Sequence, residues 1–229
     1  MGDRLPFGIG AAPLFLFFLL LLGLSGGCSA TPGNGNVTTQ VLPSPAAFTG
    51  IVARRGFLVE VVSIPGATPS IEVTIDENLQ SKVDIRVALG VLIIDSDDIA
   101  PTVAPIVRAT TDGLATISSN GPGTTVMASG AMAPPPGDAF AVGASEGGAV
   151  EVTGTCTDLV AIVTGPSVVR AGGLACERGD LEVLGDALLE VQLSESARIR
   201  GSGPSTVRIS GSPATVEENV NDEVTVIVE

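Results

Sequence analysis

A repeat of short, Val-rich apolar segments in the second half of the chain most strongly constrains how it can fold. Each segment is a few apolar residues, a small Gly, Ser or Pro turn and a second apolar run; the segments open at Leu114, Phe140, Leu159, Leu181 and Ala197. The openings lie 26, 19, 22 and 16 residues apart, about 21 on average. A period of this length is typical of structural units that bury their apolar faces by stacking on their neighbours. The repeat therefore predicts a solenoid.

The first half of the chain predicts strands in which apolar and polar residues alternate. Residues 70–76 place Ile71, Val73 and Ile75 on one face, and residues 82–89 continue this alternation. A period of two is typical of half-buried strands. After the first 27 residues no segment has a sustained 3.6-residue apolar period, so we expect no long helix. The two halves together predict an all-β chain, in which alternating strands precede a parallel solenoid.

Composition supports this fold class and excludes one class of partner. The chain has 229 residues and is 45% apolar, yet it contains no Trp or Tyr and only 7 Phe. Its core must therefore be built from Val, Ile, Leu and Ala, and β-branched residues favour a pleated surface. The net charge of −14 argues against nucleic acid, because binding to phosphate needs an excess of Lys and Arg.

The first 30 residues predict export. An 11-residue apolar run, Leu14–Leu24, follows Arg4 and is shorter than the ~20 residues that span a bilayer. Small residues and Cys28 come next, which is the order of a secretory signal. Residues 24–28 (LSGGC) resemble a bacterial lipobox, so we expect residues 1–27 to be removed and Cys28 to be lipidated. Cleavage after Ala30 and an uncleaved anchor are the alternatives, and all three place the domain outside the cytoplasm.

The segment after the signal predicts a flexible tether. Residues 29–40 (SATPGNGNVTTQ) are polar and rich in Gly, Asn and Thr, a composition typical of linkers. We therefore expect a tether over residues 28–40 and a single domain over residues 41–229.

The two remaining cysteines, Cys156 and Cys176, lie 20 residues apart, about one step of the repeat. Equivalent positions on successive coils lie ~4.8 Å apart, a separation that a disulfide tolerates. In an oxidising compartment the pair predicts a disulfide. Two buried free thiols are the alternative.

The residue types present argue against an enzyme. The chain has no His and no Tyr, which removes the commonest general base and any Ser-His-Asp arrangement. The most closely spaced acidic residues are Asp95, Asp97 and Asp98. Their position after a strand end predicts a turn, and a weak calcium site is the alternative. We expect no other metal site, because two Cys without His supply too few soft ligands. No cofactor and no catalytic residue are predicted.

Four segments of the first half resemble one family, the head GIN domain family. They are Phe48–Val52, Phe57–Val62, Ile71–Leu79, which ends in Asp-Glu-Asn-Leu, and Gly90–Ile94. The family is described as heads of auto-transporter adhesins and is otherwise of unknown function. The resemblance covers residues 41–220. It implies a right-handed parallel β-helix-like solenoid on exported, often lipid-anchored, bacterial proteins.

These observations predict an exported, lipid-anchored and non-catalytic module, adhesin-like or otherwise engaged in envelope interactions. Its expected partners are the membrane, only through the N-terminal lipid, and an unknown protein or surface. The expected location is the outer membrane or cell surface, or the periplasm or medium if Cys28 is not lipidated. Two alternatives remain open: a structural envelope scaffold without a discrete ligand, and a polysaccharide-active β-helix enzyme.

Overall fold

The computed structural model describes residues 30–43, 45–132 and 138–229. The predicted signal segment and Cys28 lie outside these residues. Residues 31–229 form one compact unit. No helix in the described ranges is both long and apolar enough to cross a bilayer.

The described residues form eighteen strands and one 3-10 helix, Glu77–Lys82. The strands are β1 (Thr31–Pro32), β2 (Val37–Val41), β3 (Gly50–Arg54), β4 (Leu58–Ser63), β5 (Ser70–Asp76), β6 (Val83–Ala88), β7 (Val91–Ser96), β8 (Ile99–Ala100), β9 (Ile106–Thr111), β10 (Thr116–Asn120), β11 (Thr125–Ala131), β12 (Phe140–Ser145), β13 (Ala149–Thr164), β14 (Val168–Leu184), β15 (Leu188–Ser202), β16 (Thr206–Ser210), β17 (Thr215–Val220) and β18 (Thr225–Val228). The prediction of an all-β chain is confirmed.

Two long ladders organise these strands. The first face consists of β6, β7, β3, β10 and β12, then the C-terminal halves of β13, β14 and β15, and finally β17. The second face consists of β2, β5, β9, β4 and β11, then the N-terminal halves of β13, β14 and β15, and finally β16 and β18. From β7 and β9 onward every pairing within these two ladders is parallel.

Each face contributes one continuous apolar column to the core. The inward column of the first face is Leu92, Ile51, Ile117, Val142, Ala161, Leu181 and Ile199, all buried. That of the second face is Val73, Val107, Val59, Val126, Val150, Val169, Leu189 and Val207, also buried. Small β-branched and aliphatic side chains fill these columns, as the aromatic-poor composition requires.

Stacked glycine turns connect the first face to the second. Gly165, Gly185 and Gly203 all have positive φ, which glycine adopts without a steric penalty. The turns lie directly on one another, since the Gly185 N–H donates to the Ser202 carbonyl at 2.8 Å. A Cβ on Gly203 would stand 2.9 Å from the Gly185 Cα, so these turns stack only without side chains.

The N-terminal end of the sheet is antiparallel, so the parallel pairing expected for the solenoid does not extend to these alternating strands. β2 pairs with β5, β5 with β9, and β6 with β7, all antiparallel. The tight turn at Leu89–Gly90, with φ of 51° and 76°, reverses the chain as a two-residue hairpin does. The sheet is therefore mixed, and antiparallel strands cover the open edge of the first coils.

The predicted repeat positions agree with the ladder only in part. Phe140 pairs with Leu159, as a stacked repeat requires. Leu159 pairs next with Gly179 rather than Leu181, and Gly179 pairs with Ala197. The displacement by two residues leaves Leu181 on the inward side, because side chains alternate with a period of two.

Residues 31–41 correct the prediction of a flexible tether over residues 28–40. β1 pairs with β8 in parallel, and β2 pairs with β5 along all five of its residues. The domain therefore starts at Thr31 rather than at residue 41. The polar residues between these two strands are held by hydrogen bonds described below.

Candidate functional site

The outer side of the first face carries a shallow groove with a floor of small residues. It encloses about 320 Å³ and is lined by outward residues of β10, β12 and β13, among them Ser118, Gly143 and Ile162. Gly143 lies between the other two in register, and its missing side chain opens the floor. Ile162 is 45% exposed at one wall. Hydroxyl, amide and small apolar groups therefore face solvent together here; we call this the small-residue groove.

A second cavity, of about 470 Å³, adjoins it on the same face and shares Val160 with it. Its lining is charged. Asp158 and Arg178 form a bidentate pair there, with Nε–Oδ1 at 2.6 Å and Nη2–Oδ2 at 2.9 Å. Arg178 also lies 3.5 Å from Glu195. We call this the charged groove.

Electrostatics keep the Asp158–Arg178 pair ionised. The hydrogen bond from Arg178 lowers the pKa of Asp158 below its ordinary value, and the same bond raises the pKa of Arg178. Both side chains are nearly half exposed, so water screens the pair and it contributes little to stability. The pair instead fixes two charged groups at the wall of the groove.

Alternating charges also follow the outer side of the second face. Arg108 donates to Glu60 at 2.6 Å, and Glu190 lies 3.8 Å from both Arg170 and Arg208 on the neighbouring strands. All ten cationic side chains among the described residues form at least one ion pair with a carboxylate. Any charged side chain left unpaired among the described residues is therefore a carboxylate.

The structure does not bring the three calcium candidates together. Asp95 pairs with Arg54 and Arg55, Asp98 pairs with Arg55, and Asp97 pairs with Lys82. In the described ranges no three His, Cys, Asp or Glu side chains form a group suited to a metal ion. Asp95 and Asp98 share Arg55, and Asp97 faces Lys82, so each candidate carboxylate is already paired with a cation.

Cys156 and Cys176 form a disulfide with a Cα–Cα distance of 4.6 Å. The two residues are direct partners in the parallel ladder between β13 and β14. The bridge therefore joins two successive coils at equivalent positions, as their spacing predicts. The other cysteine prediction, lipidation of Cys28, concerns a residue outside the described ranges.

The Asp-Glu-Asn-Leu segment holds the start of the domain. Asp76 is fully buried, and its carboxylate accepts hydrogen bonds from the Gly35 N–H at 2.7 Å and from the N–H and hydroxyl of Thr102, both at 2.8 Å. A Cβ on Gly33 would overlap the carboxylate, so only glycine allows this approach. Burial alone would raise the pKa of Asp76, but these hydrogen bonds outweigh it and lower the pKa.

Asn78 and Glu77 complete the arrangement. The Asn34 N–H donates to the Asn78 side chain at 2.9 Å, and the Asn78 amide donates to the Pro32 carbonyl at 2.9 Å. Glu77 accepts from the side-chain amide of Asn36 at 2.6 Å. We call Asp76, Glu77 and Asn78, together with the residues 31–36 that they hold, the N-terminal latch.

Sequence reasoning missed both the latch and the charge ladders. Outward Glu151, Arg170, Glu190 and Arg208 occupy one register line, at spacings of 18 to 20 residues. Alternating signs at the repeat spacing are a signal that could have predicted the ladder. The latch had no such signal, because residues 31–36 and residues 76–78 lie some 40 positions apart.

A comparison with protein families decides the classification. Residues 47–213 match the family described as "Putative auto-transporter adhesin, head GIN domain". The chain belongs to this family. No curated protein matches the chain.

Solved structures share the fold of this head GIN domain at low sequence identity. One is the crystal structure of "a putative adhesin" from Bacteroides fragilis, with 13% identity and a TM-score of 0.69, over 87% of this chain and 100% of that one. Another is that of a "Putative lipid binding protein" from Parabacteroides distasonis, with 16% identity and a TM-score of 0.51, over 88% of this chain and 100% of that one. At these identities the likeness concerns the fold alone.

Proposed function

We propose that this head GIN domain is an exported, lipid-anchored and non-catalytic interaction module that engages a surface or protein through its first face. We further propose that its coils form a right-handed β-solenoid. Membership in a family described as adhesin heads supports the class of function. The observation that carries the choice of face is the pair of adjoining grooves with their fixed charged and small polar groups.

The groove itself is the target of the main test. A Cβ on Gly143 would make only ordinary contacts, 3.5 Å to the Ile162 carbonyl and 3.9 Å to the Ser118 hydroxyl. Gly143→Gln therefore fills the floor of the groove without a clash. Gly172→Gln is the matched control, because that glycine is exposed and a Cβ there meets nothing within 4 Å.

The assay is attachment of bacteria that display the full chain to polystyrene and to mucin-coated surfaces. We expect Gly143→Gln to reduce attachment several-fold and Gly172→Gln to leave it unchanged. Attachment that survives deletion of the whole domain would remove the adhesin-like function. Loss of attachment on deletion, with neither glutamine variant affecting it, would place the contact elsewhere than in the groove.

Lipid anchoring needs a separate measurement. Intact mass spectrometry of the protein purified from membranes should show a diacylated or triacylated N-terminal Cys28. The Cys28→Ser variant should lose the acyl mass and leave the membrane fraction. An unmodified wild-type N-terminus at residue 31 would favour simple secretion.

The absence of catalysis is also a proposal, and it rests on chemistry. The chain contains no His or Tyr, and the three carboxylates that line the charged groove, Asp158, Asp180 and Glu217, are each paired with an arginine. A screen over polymeric sugars, with and without calcium, should release no reducing ends. Release that disappears in the Asp158→Asn variant would support the polysaccharide-active alternative.

A further inference from the structure

The latch lies at one end of the stack of coils. β2 follows the latch residues 31–36 directly and is the outermost strand of the second face, while β6 is the outermost strand of the first face. From β5 to β18 the second face crosses eight ladder steps of about 4.8 Å, or roughly 38 Å. The domain therefore starts at its antiparallel end, and β18 lies at the far end.

Backbone and side-chain contacts hold this start firmly. The Thr31 N–H donates to the Asp98 carbonyl and the Gly33 N–H donates to the Ala100 carbonyl, both at 2.9 Å. The carboxylate of the buried Asp76 then accepts a hydrogen bond from the Gly35 N–H. From Thr31 onward the chain is part of the folded domain, and it offers no slack to a linker.

The remaining linker is short. Only two residues separate Cys28 from Thr31. Three peptide steps reach at most ~11 Å when fully extended. A freely jointed tether over residues 28–40 would instead allow the domain to lie at many distances and angles from its anchor.

The same end exposes apolar side chains, but its described residues form no basic patch. Leu89, at the β6–β7 turn, is fully exposed, and Val41 on β2 is 59% exposed. The cations of this end, such as Lys82 and Arg86, are paired with carboxylates. This surface can therefore lie against lipid once it is brought there, but it has no charge with which to bind anionic lipid on its own.

We propose that the N-terminal latch holds the antiparallel end of the domain directly against the lipid surface, so that the stack of coils stands away from the membrane and presents its far end and both faces outward. This inference rests on the lipid anchoring proposed above. The membrane is the partner of this end, and the acyl chains supply the binding while the latch supplies the orientation.

Single-tryptophan reporters test the orientation, because the chain has no Trp or Tyr of its own. Leu89→Trp places the reporter at the antiparallel end, and Val228→Trp places it on β18, where the native side chain is 47% exposed. The acylated full chain is reconstituted into phosphatidylcholine vesicles that contain brominated acyl chains. These chains quench only tryptophans close to the bilayer.

Two further variants test the latch in the Leu89→Trp background. Asp76→Ala removes its central acceptor, with exposed Asp186→Ala as the matched control. Because Asp76→Ala affects a buried site, a second variant inserts about ten Gly and Ser residues between Ala30 and Thr31, a linker with a typical span of ~17 Å. The insertion leaves every residue of the domain unchanged.

We expect several-fold stronger quenching of the Leu89→Trp reporter than of Val228→Trp, and loss of most of that quenching on insertion. Hydrogen exchange at Gly33–Asn36 should accelerate in Asp76→Ala and not in Asp186→Ala. Equal quenching at both reporters, or quenching that the insertion leaves unchanged, would overturn the orientation. If mass spectrometry shows no acyl chain, the anchoring proposal fails instead, and the exchange measurement still decides whether the latch is closed.

Discussion

The disulfide offers the most direct quantitative prediction. Cys156 and Cys176 are separated by 20 residues and are partners on adjacent coils. Closing a loop of this length in the unfolded chain removes about 11 cal/mol/K of entropy, or about 3.3 kcal/mol at 25 °C. Ladder partners already lie within the distance that a bridge spans, so the folded state pays little for the bond.

The assay compares the oxidised and reduced wild-type domain in urea. Circular dichroism follows the transition, because the chain has no Trp or Tyr to report by fluorescence. We expect reduction to lower the free energy of unfolding by about 3 kcal/mol. Reduction should also steepen the dependence of that free energy on urea concentration, because the unfolded chain is more compact while the disulfide is intact. Mass spectrometry confirms the redox state of each sample.

The double variant Cys156→Ala/Cys176→Ala is the control. It should unfold at nearly the same urea concentration as the reduced wild type, and adding reductant should not change its unfolding. The reasoning is refuted if reduction changes the free energy of unfolding by less than about 1 kcal/mol while mass spectrometry shows that the bridge was present, because the chain-entropy argument predicts three times as much.

Three further substitutions follow from the described geometry. Gly203→Ala should destabilise the domain by about 1–3 kcal/mol in urea unfolding, because it forces a Cβ to within 2.9 Å of Gly185 at a positive φ; an unchanged midpoint would contradict the stacked turns. Because the folded-state pKa of Asp76 is lowered, the stability that its carboxylate contributes is present above about pH 4 and is lost as the pH falls through that lowered pKa. The melting temperature should therefore fall more steeply between about pH 7 and pH 3 for wild type than for Asp76→Asn. Parallel pH dependences of the two melting temperatures would contradict this role of Asp76. Arg178→Ala breaks a half-exposed pair and should cost less than about 1 kcal/mol, so a larger loss in urea unfolding would show that the charged groove has a structural role.

The coil stack could be predicted from sequence because each of its contacts recurs at a short spacing. Phe140 and Leu159, and then Cys156 and Cys176, recur one coil apart and pair directly. The apolar columns follow from the alternation within each strand, which fixes the inward side even where the assumed register was displaced. Leu181 shows this, since it lies inward although Gly179 is the true partner of Leu159.

The N-terminal end could not be predicted in the same way. Gly33, Asn34, Gly35 and Asn36 have the composition of a linker, and nothing local to them favours order. They are ordered because Asp76, far along the chain, is buried and needs donors for its carboxylate. The composition of a segment does not reveal a distant side chain that accepts hydrogen bonds from its backbone. An ordered latch and a flexible tether can therefore have the same composition.

The pairing of charges also limits the kinds of partner that the proposed site could bind. A partner attracted by charge would need free cations or a concentrated acidic patch, yet every described cation of this domain already forms an ion pair with a carboxylate. The small-residue groove differs, because its floor at Gly143 and Ser118 is open and its groups are uncharged. The recognition proposed for this groove would depend on shape and on hydrogen bonds at a fixed spacing of about 4.8 Å from strand to strand. A rigid ladder is well suited to that task, because a repeating surface or an extended chain can match several rungs at once.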